Sequence, residues 1–156
     1  MMKSVEALVD IFRQNGFKIT PQRRAIFELI HRENRHLTAT EIYQYVTAYM
    51  PDISHATVYN TLRELTQLGE LTIVENLGEE GVHYDTNTLN HHHLFCLGCH
   101  ALVDISRTFE GLQLTSEEEA GYQVIKSQVT FYGYCPECQH REEKGEKDLS
   151  GPFGRK

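Results

Sequence analysis

Long apolar runs, solitary cysteines and an excess of positive charge are all missing from this chain, and each absence excludes a class of function. The stretch from Met1 to Gln14 interrupts its apolar residues with Lys3, Glu6, Asp10 and Arg13, so it lacks the continuous core of an export signal, and no later run approaches bilayer-spanning length. A cytoplasmic protein with no membrane partner is expected. Cysteine occurs four times, only in the pairs Cys96-Leu97-Gly98-Cys99 and Cys135-Pro136-Glu137-Cys138. Without an export signal, such pairs read as metal or redox motifs rather than disulfides. The formal charge of −7 argues on its face against a nucleic-acid partner. DNA, however, responds to the local field. Between positions 13 and 35 the chain sets Arg13, Lys18, Arg23, Arg24, Arg32 and Arg35 against only Glu28 and Glu33, while the acids crowd Glu79 to Asp85, Glu117 to Glu119 and the tail. A basic patch near the N-terminus is expected.

What is present has helical periodicity first and β-type segments second. Leu8, Ile11 and Phe12 form an apolar stripe ending at Gly16, and Thr20-Pro21 reads as a cap followed by proline at the first helical position. Thr38-Ala39-Thr40-Glu41 is a capping box opening a third helix that carries Ile42, Tyr45, Val46 and Tyr49 to Pro51. Ser54 caps a fourth helix, in which Val58, Leu62 and Leu65 share one face while His55, Tyr59 and Arg63 line another, with Gly69 at its end. Leu71 to Val74 and Val82 to Tyr84, flanking the turn-rich Asn76 to Gly81, form a hairpin. Helices followed by such a hairpin make a winged helix-turn-helix.

After Asp85 the polar connector of residues 86–90 marks a boundary. Beyond it, β segments are expected at Leu94 to Cys96, Leu102 to Ile105 and Tyr122 to Tyr134, with a short helix over Ser116 to Ala120 and a frayed tail from Arg141. The expected organisation is α+β: a winged-helix domain over 1–85, a hinge over 86–90, a small α/β domain over 91–143 and a disordered tail over 144–156. Two small halves are each short of apolar core, a shortage that a structural metal repairs.

Two Cys-x-x-Cys knuckles present four thiolates, the donor set of a closed tetrahedral zinc site. A thioredoxin-like reading of Cys135 to Cys138 leaves the other pair idle and lacks an expected strand-then-helix context. The first knuckle also serves as a hairpin turn, placing His93 opposite Asp104 with Cβ atoms on the order of 5 Å apart. Alternation puts His91 on the His93 face and turns His92 away. Two imidazoles and a carboxylate, with Asp85 as a further acid, suit Fe(II) or Mn(II) with open positions.

Five segments together identify the chain as similar to the ferric uptake regulator family: Ile19-Thr20-Pro21-Gln22-Arg23-Arg24, His36 to Tyr43, Ala56 to Leu62, His91 to Cys99, and Tyr132 to Cys138. The resemblance covers Val5 to Cys138. It implies a homodimeric, metal-dependent transcriptional repressor, not an enzyme, with a winged-helix half on double-stranded DNA and a C-terminal half that dimerises around a Cys96, Cys99, Cys135, Cys138 zinc. It also implies His36 as a ligand of the regulatory ion, giving the set His36, Asp85, His91, His93 and Asp104 for Fe(II) or Mn(II). For DNA it implies Tyr59 and Asn60 near bases and Lys18, Arg23 and Arg24 on the backbone or in the minor groove, with Arg63, in line with Tyr59, a further DNA-binding residue. Asp104, where iron-responsive members typically carry glutamate, most resembles the peroxide-sensing PerR branch, in which His36 or His91 is oxidised. Asn90 and Ser127 stand where many iron-responsive members have further sensory histidines. His31, His55, His83, His92, His100 and His140 match no ligand position.

Rival readings remain. Sibling repressors that respond to iron, manganese, zinc or nickel share the scaffold, and ligand chemistry alone does not choose the ion. His31-Arg32-Glu33 matches half of a zinc-deaminase signature, but neither cysteine pair is preceded by proline. A zinc-ribbon interaction module leaves the capped helices and the Tyr59 face unexplained.

Overall fold

Caps and glycines set the helix limits in the first part of the chain. The structure, a computed structural model, describes residues 3–33, 35–75, 81–109 and 111–143, and the chain divides between Thr88 and Leu89 into two compact units. Helix α1 (Val5–Gln14) starts where the Ser4 hydroxyl accepts the Ala7 N–H at 3.3 Å, and ends in a left-handed Gly16 at φ +79°. Helix α2 (Pro21–Glu33) starts with Pro21 behind Thr20, whose Oγ1 accepts the Arg23 N–H at 3.3 Å. Before α3 (Ala39–Thr47), the Thr38 N–H donates to Glu41 at 2.8 Å and the Glu41 N–H donates to Thr38 Oγ1 at 3.2 Å, a complete capping box. Helix α4 (His55–Gln67) is capped by Ser54, buries Val58, Leu62 and Leu65, and turns Tyr59, Asn60 and Arg63 to solvent.

One expectation fails in α3, which stops at Thr47 rather than running to Pro51. Both the Tyr49 and the Met50 N–H donate to the Val46 carbonyl, tightening the chain into a turn, because the residue before a proline is disfavoured in helical geometry. Tyr45, still inside α3, and Tyr49, beyond its end, are both expected on the apolar stripe, and both are exposed.

The helices enclose one apolar core. Phe12 lies edge-on to Phe27 with ring centroids 4.8 Å apart and packs on Phe17 at 5.2 Å, among fully buried Ile26, Leu29, Ile42, Val46, Leu62 and Leu65. The expected hairpin is β2 (Thr72–Val74) against β3 (His83–Asp85), antiparallel, and most of its turn, at 76–80, lies outside the described residues. A strand absent from the sequence reading, β1 (Leu37–Thr38), pairs with the other edge of β3 through Leu37↔Tyr84 and Thr38↔His83. At two residues it is too short to carry a periodic signal.

The second unit is a three-stranded sheet in the order β5-β4-β6. Strands β4 (His92–Cys96) and β5 (Leu102–Ile105) are antiparallel, and β6 (Thr130–Gly133) runs parallel to β4. Between them, α5 (Ser116–Glu119) is opened by a Thr115–Glu118 capping box. Only the last part of the strand expected over Tyr122 to Tyr134 forms. Residues 122–129 have no regular structure, and Tyr122 and Ile125, two of the strand-forming residues there, are 80% and 83% exposed. A further correction lies at the end: α6 (Pro136–Glu143) carries the backbone past Arg141, where fraying was expected, since Pro136 at the first position and Glu137 in the first turn favour a helix start. The expected tail, 144–156, lies outside the described residues.

Candidate metal centres

Strand pairing delivers the four cysteines to one end of the second sheet. Cys96 ends β4, Cys99 lies in the turn to β5, and Cys135 and Cys138 follow β6. The register Cys96↔Gly133, with the Leu97 N–H donating to the Gly133 carbonyl at 2.7 Å, starts both knuckles side by side. All four Sγ atoms lie within 4.8 Å of one another, and Cys99 Sγ stands 3.8 Å from Cys135 Sγ. That matches the ~3.8 Å edge of a tetrahedron with metal–sulfur bonds of ~2.3 Å. Four soft donors at that spacing fit zinc. Gly98 is needed for closure: a Cβ there would stand 2.8 Å from Cys138 Sγ and 2.9 Å from its Cβ.

The thiols are unequal. Burial raises Cys96, but backbone N–H donation from Cys135, Cys99 and Gly98 outweighs it and draws the group down to about 6. Burial pushes Cys138 up to about 12, helped by sulfur contacts with Cys135, Cys96 and Cys99. The same end of the sheet corrects one part of the sequence argument, because Cys135 does sit between a strand, β6, and a helix, α6. The thioredoxin-like reading therefore fails on the convergence of both pairs and not on its secondary-structure context.

The second unit also holds a nitrogen and oxygen set. His93 pairs directly across from Asp104, the register expected from the knuckle turn. His91 Nε2 lies 3.2 Å and His93 Nε2 3.8 Å from Asp104 Oδ1. His91 Nδ1 is 2.7 Å from the Leu89 carbonyl oxygen, which only accepts, so the ring proton sits on Nδ1 and the lone pair on Nε2. In the neutral ring that lone pair faces a carboxylate oxygen at 3.2 Å, two donors that a cation between them would satisfy, so the pair suits a metal ion. His92 faces the other way, its ring 5.0 Å from Phe109 and its Nδ1 accepting the Val129 N–H at 3.1 Å. Asp104 keeps 37% side-chain exposure while His93 is fully buried.

The first unit holds a second set of the same chemistry. His36 directly precedes β1 and Asp85 ends β3, so the Leu37↔Tyr84 register sets them next to each other, with His36 Nε2 3.4 Å from Asp85 Oδ1. Both side chains are buried. Asp85 Oδ1 also accepts the Asn87 N–H at 2.7 Å, which orients the carboxylate. The short strand that periodicity could not reveal is what brings His36 to Asp85. Imidazole and carboxylate donors of this kind suit a harder, exchangeable ion such as Fe(II) or Mn(II).

The basic patch is weaker than its count. Acids from distant positions reach it: Arg23 pairs with Glu64 at 2.6 Å and lies over the Phe12 and Phe17 rings, and Arg24 pairs with Glu6 and Glu28. Arg13 pairs with Asp10, and Arg32 and Arg35 with Glu33. Lys18 carries no ion pair among the described residues, and with Phe17, Thr20, Arg23, Thr57 and Asn60 it lines an open cleft beside the N-terminal half of α4. Tyr59 is half exposed, and Arg63 donates to Asn60 Oδ1 at 3.0 Å. Glu64, Gly98 and Gln128 escaped the sequence reading; of these only Gly98, inside a knuckle, carried a signal.

The ferric uptake regulator family model matches residues 14–132. Over 140 residues the chain is 35% identical to the peroxide-responsive repressor PerR of Staphylococcus aureus, covering 88% of this chain and 93% of that protein. Among solved structures, the Vibrio cholerae ferric uptake regulator is 28% identical, with 85% of this chain and 100% of that one covered and a TM-score of 0.64. PerR from Streptococcus pyogenes is 27% identical, covering 88% and 95%, with a TM-score of 0.51. The chain belongs to the ferric uptake regulator family.

Proposed function

We propose that this chain is a metal-dependent transcriptional repressor that binds pseudo-palindromic operators as a homodimer and releases them when peroxide oxidises a ligand of its regulatory ion. The observation that carries the reading is the convergence of His91 and His93 on Asp104, with the His91 lone pair directed at the carboxylate. His36 and Asp85 complete the set, joined to it through a connector of a few residues between Asp85 and His91. The ion then takes ligands from both units, so its binding favours one placement of the winged helices. Such coupling is typically ~1–3 kcal/mol, or about 5–150-fold in DNA affinity. Paired recognition helices ~34 Å apart read half-sites one helical turn apart. Tyr59, Asn60 and Arg63 on α4 approach the groove, and Lys18, Arg23 and Arg24 serve the backbone, with Lys18 the strongest of the three because the arginines already hold carboxylates.

Peroxide sensing is favoured by Asp104, by Asn90 and Ser127 at the positions of further sensory histidines, and by similarity to peroxide-responsive repressors. Bound Fe(II), held by these residues, would lend electrons to break the peroxide O–O bond and recover them from the ring. In the net reaction the imidazole of His36 or His91 would be the two-electron reductant, its ring C–H becoming C–OH with one peroxide oxygen while the other leaves as water. Mn(II), which does not donate these electrons, would support repression without damage.

The test loads the zinc-containing protein with Fe(II) or Mn(II), exposes each form to peroxide, and reads operator binding together with peptide mass. Release from DNA only in the iron form, with one oxygen gained on the His36 or His91 peptide, is expected. Equal resistance in both forms assigns the chain to iron-, manganese- or zinc-responsive control of metal uptake instead, and indifference of DNA binding to either ion returns it to a zinc-ribbon interaction module. Asp104→Ala should abolish the metal effect on DNA affinity while leaving zinc content unchanged.

A further inference from the structure

The three consecutive histidines differ in what holds Nδ1, and for His93 the holder opposes ligation. His93 Nδ1 lies 2.9 Å from the side-chain amide nitrogen of Gln128, and the same nitrogen donates to the His91 carbonyl oxygen at 3.4 Å. An amide nitrogen only donates, so Nδ1 of neutral His93 accepts and the ring proton sits on Nε2. The second bond decides which way the amide faces. Turned over, it would set its oxygen against the His91 carbonyl oxygen, losing one hydrogen bond and opposing two acceptors. The backbone beside Gln128 is clamped as well: the Val129 N–H donates to His92 Nδ1 at 3.1 Å, and the His93 N–H donates to the Val129 carbonyl at 3.0 Å.

His91 thus presents a lone pair at Nε2, whereas His93 presents a proton, although both Nε2 atoms face Asp104. Resting on the reading of His93 as a ligand of the regulatory ion, we propose that Gln128 is a positioning residue that holds His93 in the tautomer with its ligating nitrogen protonated, and thereby weakens the site's hold on its ion. For His93 to offer its Nε2 lone pair, the ring proton must move to Nδ1 and meet an acceptor there. Gln128 supplies one only by turning over, at the expense of its bond to the His91 carbonyl. A carboxylate at position 128 would supply an acceptor to Nδ1 in either orientation, its charge outweighing the opposition of its oxygen to the His91 carbonyl 3.4 Å away, and this is the arrangement common to histidines that bind metals firmly.

The experiment uses zinc-containing protein with its regulatory ion removed and histidine labelled with 15N. Ring-nitrogen correlation spectra should show His93 protonated at Nε2 and His91 at Nδ1. Gln128→Glu should move the His93 proton to Nδ1, and Gln128→Met should release the ring into a mixture of tautomers. Titration with Mn(II) should show Gln128→Glu binding about tenfold more tightly than the unsubstituted protein, at the lower end of the ~10–100-fold that partners of ligating histidines are worth. Gln128→Met should fall between the two, which separates the ring effect from the added charge. His93 protonated at Nδ1 in the unsubstituted protein, or equal Mn(II) affinity across the three, overturns the assignment of Gln128. Wild-type Mn(II) affinity in His93→Ala overturns the ligand reading itself, a failure distinguishable from the first because the tautomer is read without the ion.

Discussion

The two units stabilise themselves by different means. The first buries a continuous set of apolar side chains, from Leu8 on α1 to Tyr84 on β3, and closes its helices with Ser4, Thr20, Thr38 and Ser54. In the second, the buried apolar residues among those described reduce to Phe95, Leu102 and two of the cysteines, Cys96 and Cys138, while three consecutive histidines are also buried. A sheet so thinly covered does not hold itself by hydrophobic burial alone. Its polar interior is instead arranged to receive ions, and metal binding then supplies folding free energy that the first unit draws from its core.

The sharpest way to break that comparison is to remove zinc. Chelation, or Cys96→Ser, should unfold the second unit, since structural zinc typically contributes ~10–16 kcal/mol, while amide signals of α1 to α4 keep their dispersion. Retention of a folded β4-β5-β6 sheet without zinc would remove the contrast. The reciprocal change is Phe12→Ala. It empties a fully buried position between Phe27 and Phe17 and should cost ~3–5 kcal/mol, read as a lower denaturation midpoint for the helical signal with zinc stoichiometry unaltered. Smaller again is Thr38→Ala. Losing the cap of α3 should destabilise the first unit by ~1 kcal/mol in thermal melts, and any loss beyond that would report the β1 pairing of the same residue.

The smallest effect belongs to the surface. A hydrogen bond from Arg24, followed by the Coulomb attraction of that guanidinium, holds the Glu6 carboxyl below its ordinary range. Because the folded value is the lower one, the stabilisation is present above the unfolded value and disappears as pH falls through the folded value. Glu6→Gln should therefore lower the melting temperature slightly at neutral pH and not at all in acid, and salt should erase the difference.

The features legible in the sequence were those whose causes are local. The Thr38–Glu41 box needs only a hydroxyl and a carboxylate three residues apart, and the His93↔Asp104 register follows from counting outward through the Cys96 to Cys99 turn. The features that escaped were set by partners far along the chain. Glu64 neutralises Arg23 across 41 residues, so a tally of charges between positions 13 and 35 overstates the free positive field. Residues 122–129 carry strand-forming Tyr122, Val124, Ile125 and Val129, but such residues make a strand only where a neighbour accepts their hydrogen bonds.

Composition and spacing by themselves determined the donor chemistry: two thiolate pairs, a histidine run, and a carboxylate one hairpin turn away, because ligand type and short-range register are properties of the chain read in order. The tertiary fold decided which donors meet and in what protonation form. It took a two-residue strand on β3 to bring His36 to Asp85, and parallel pairing of β4 with β6 to bring one knuckle to the other. It took Gln128, 35 residues from His93, to set the state of that ring. Such contacts depend on closing long loops, and their energy resides in geometry that no local pattern encodes.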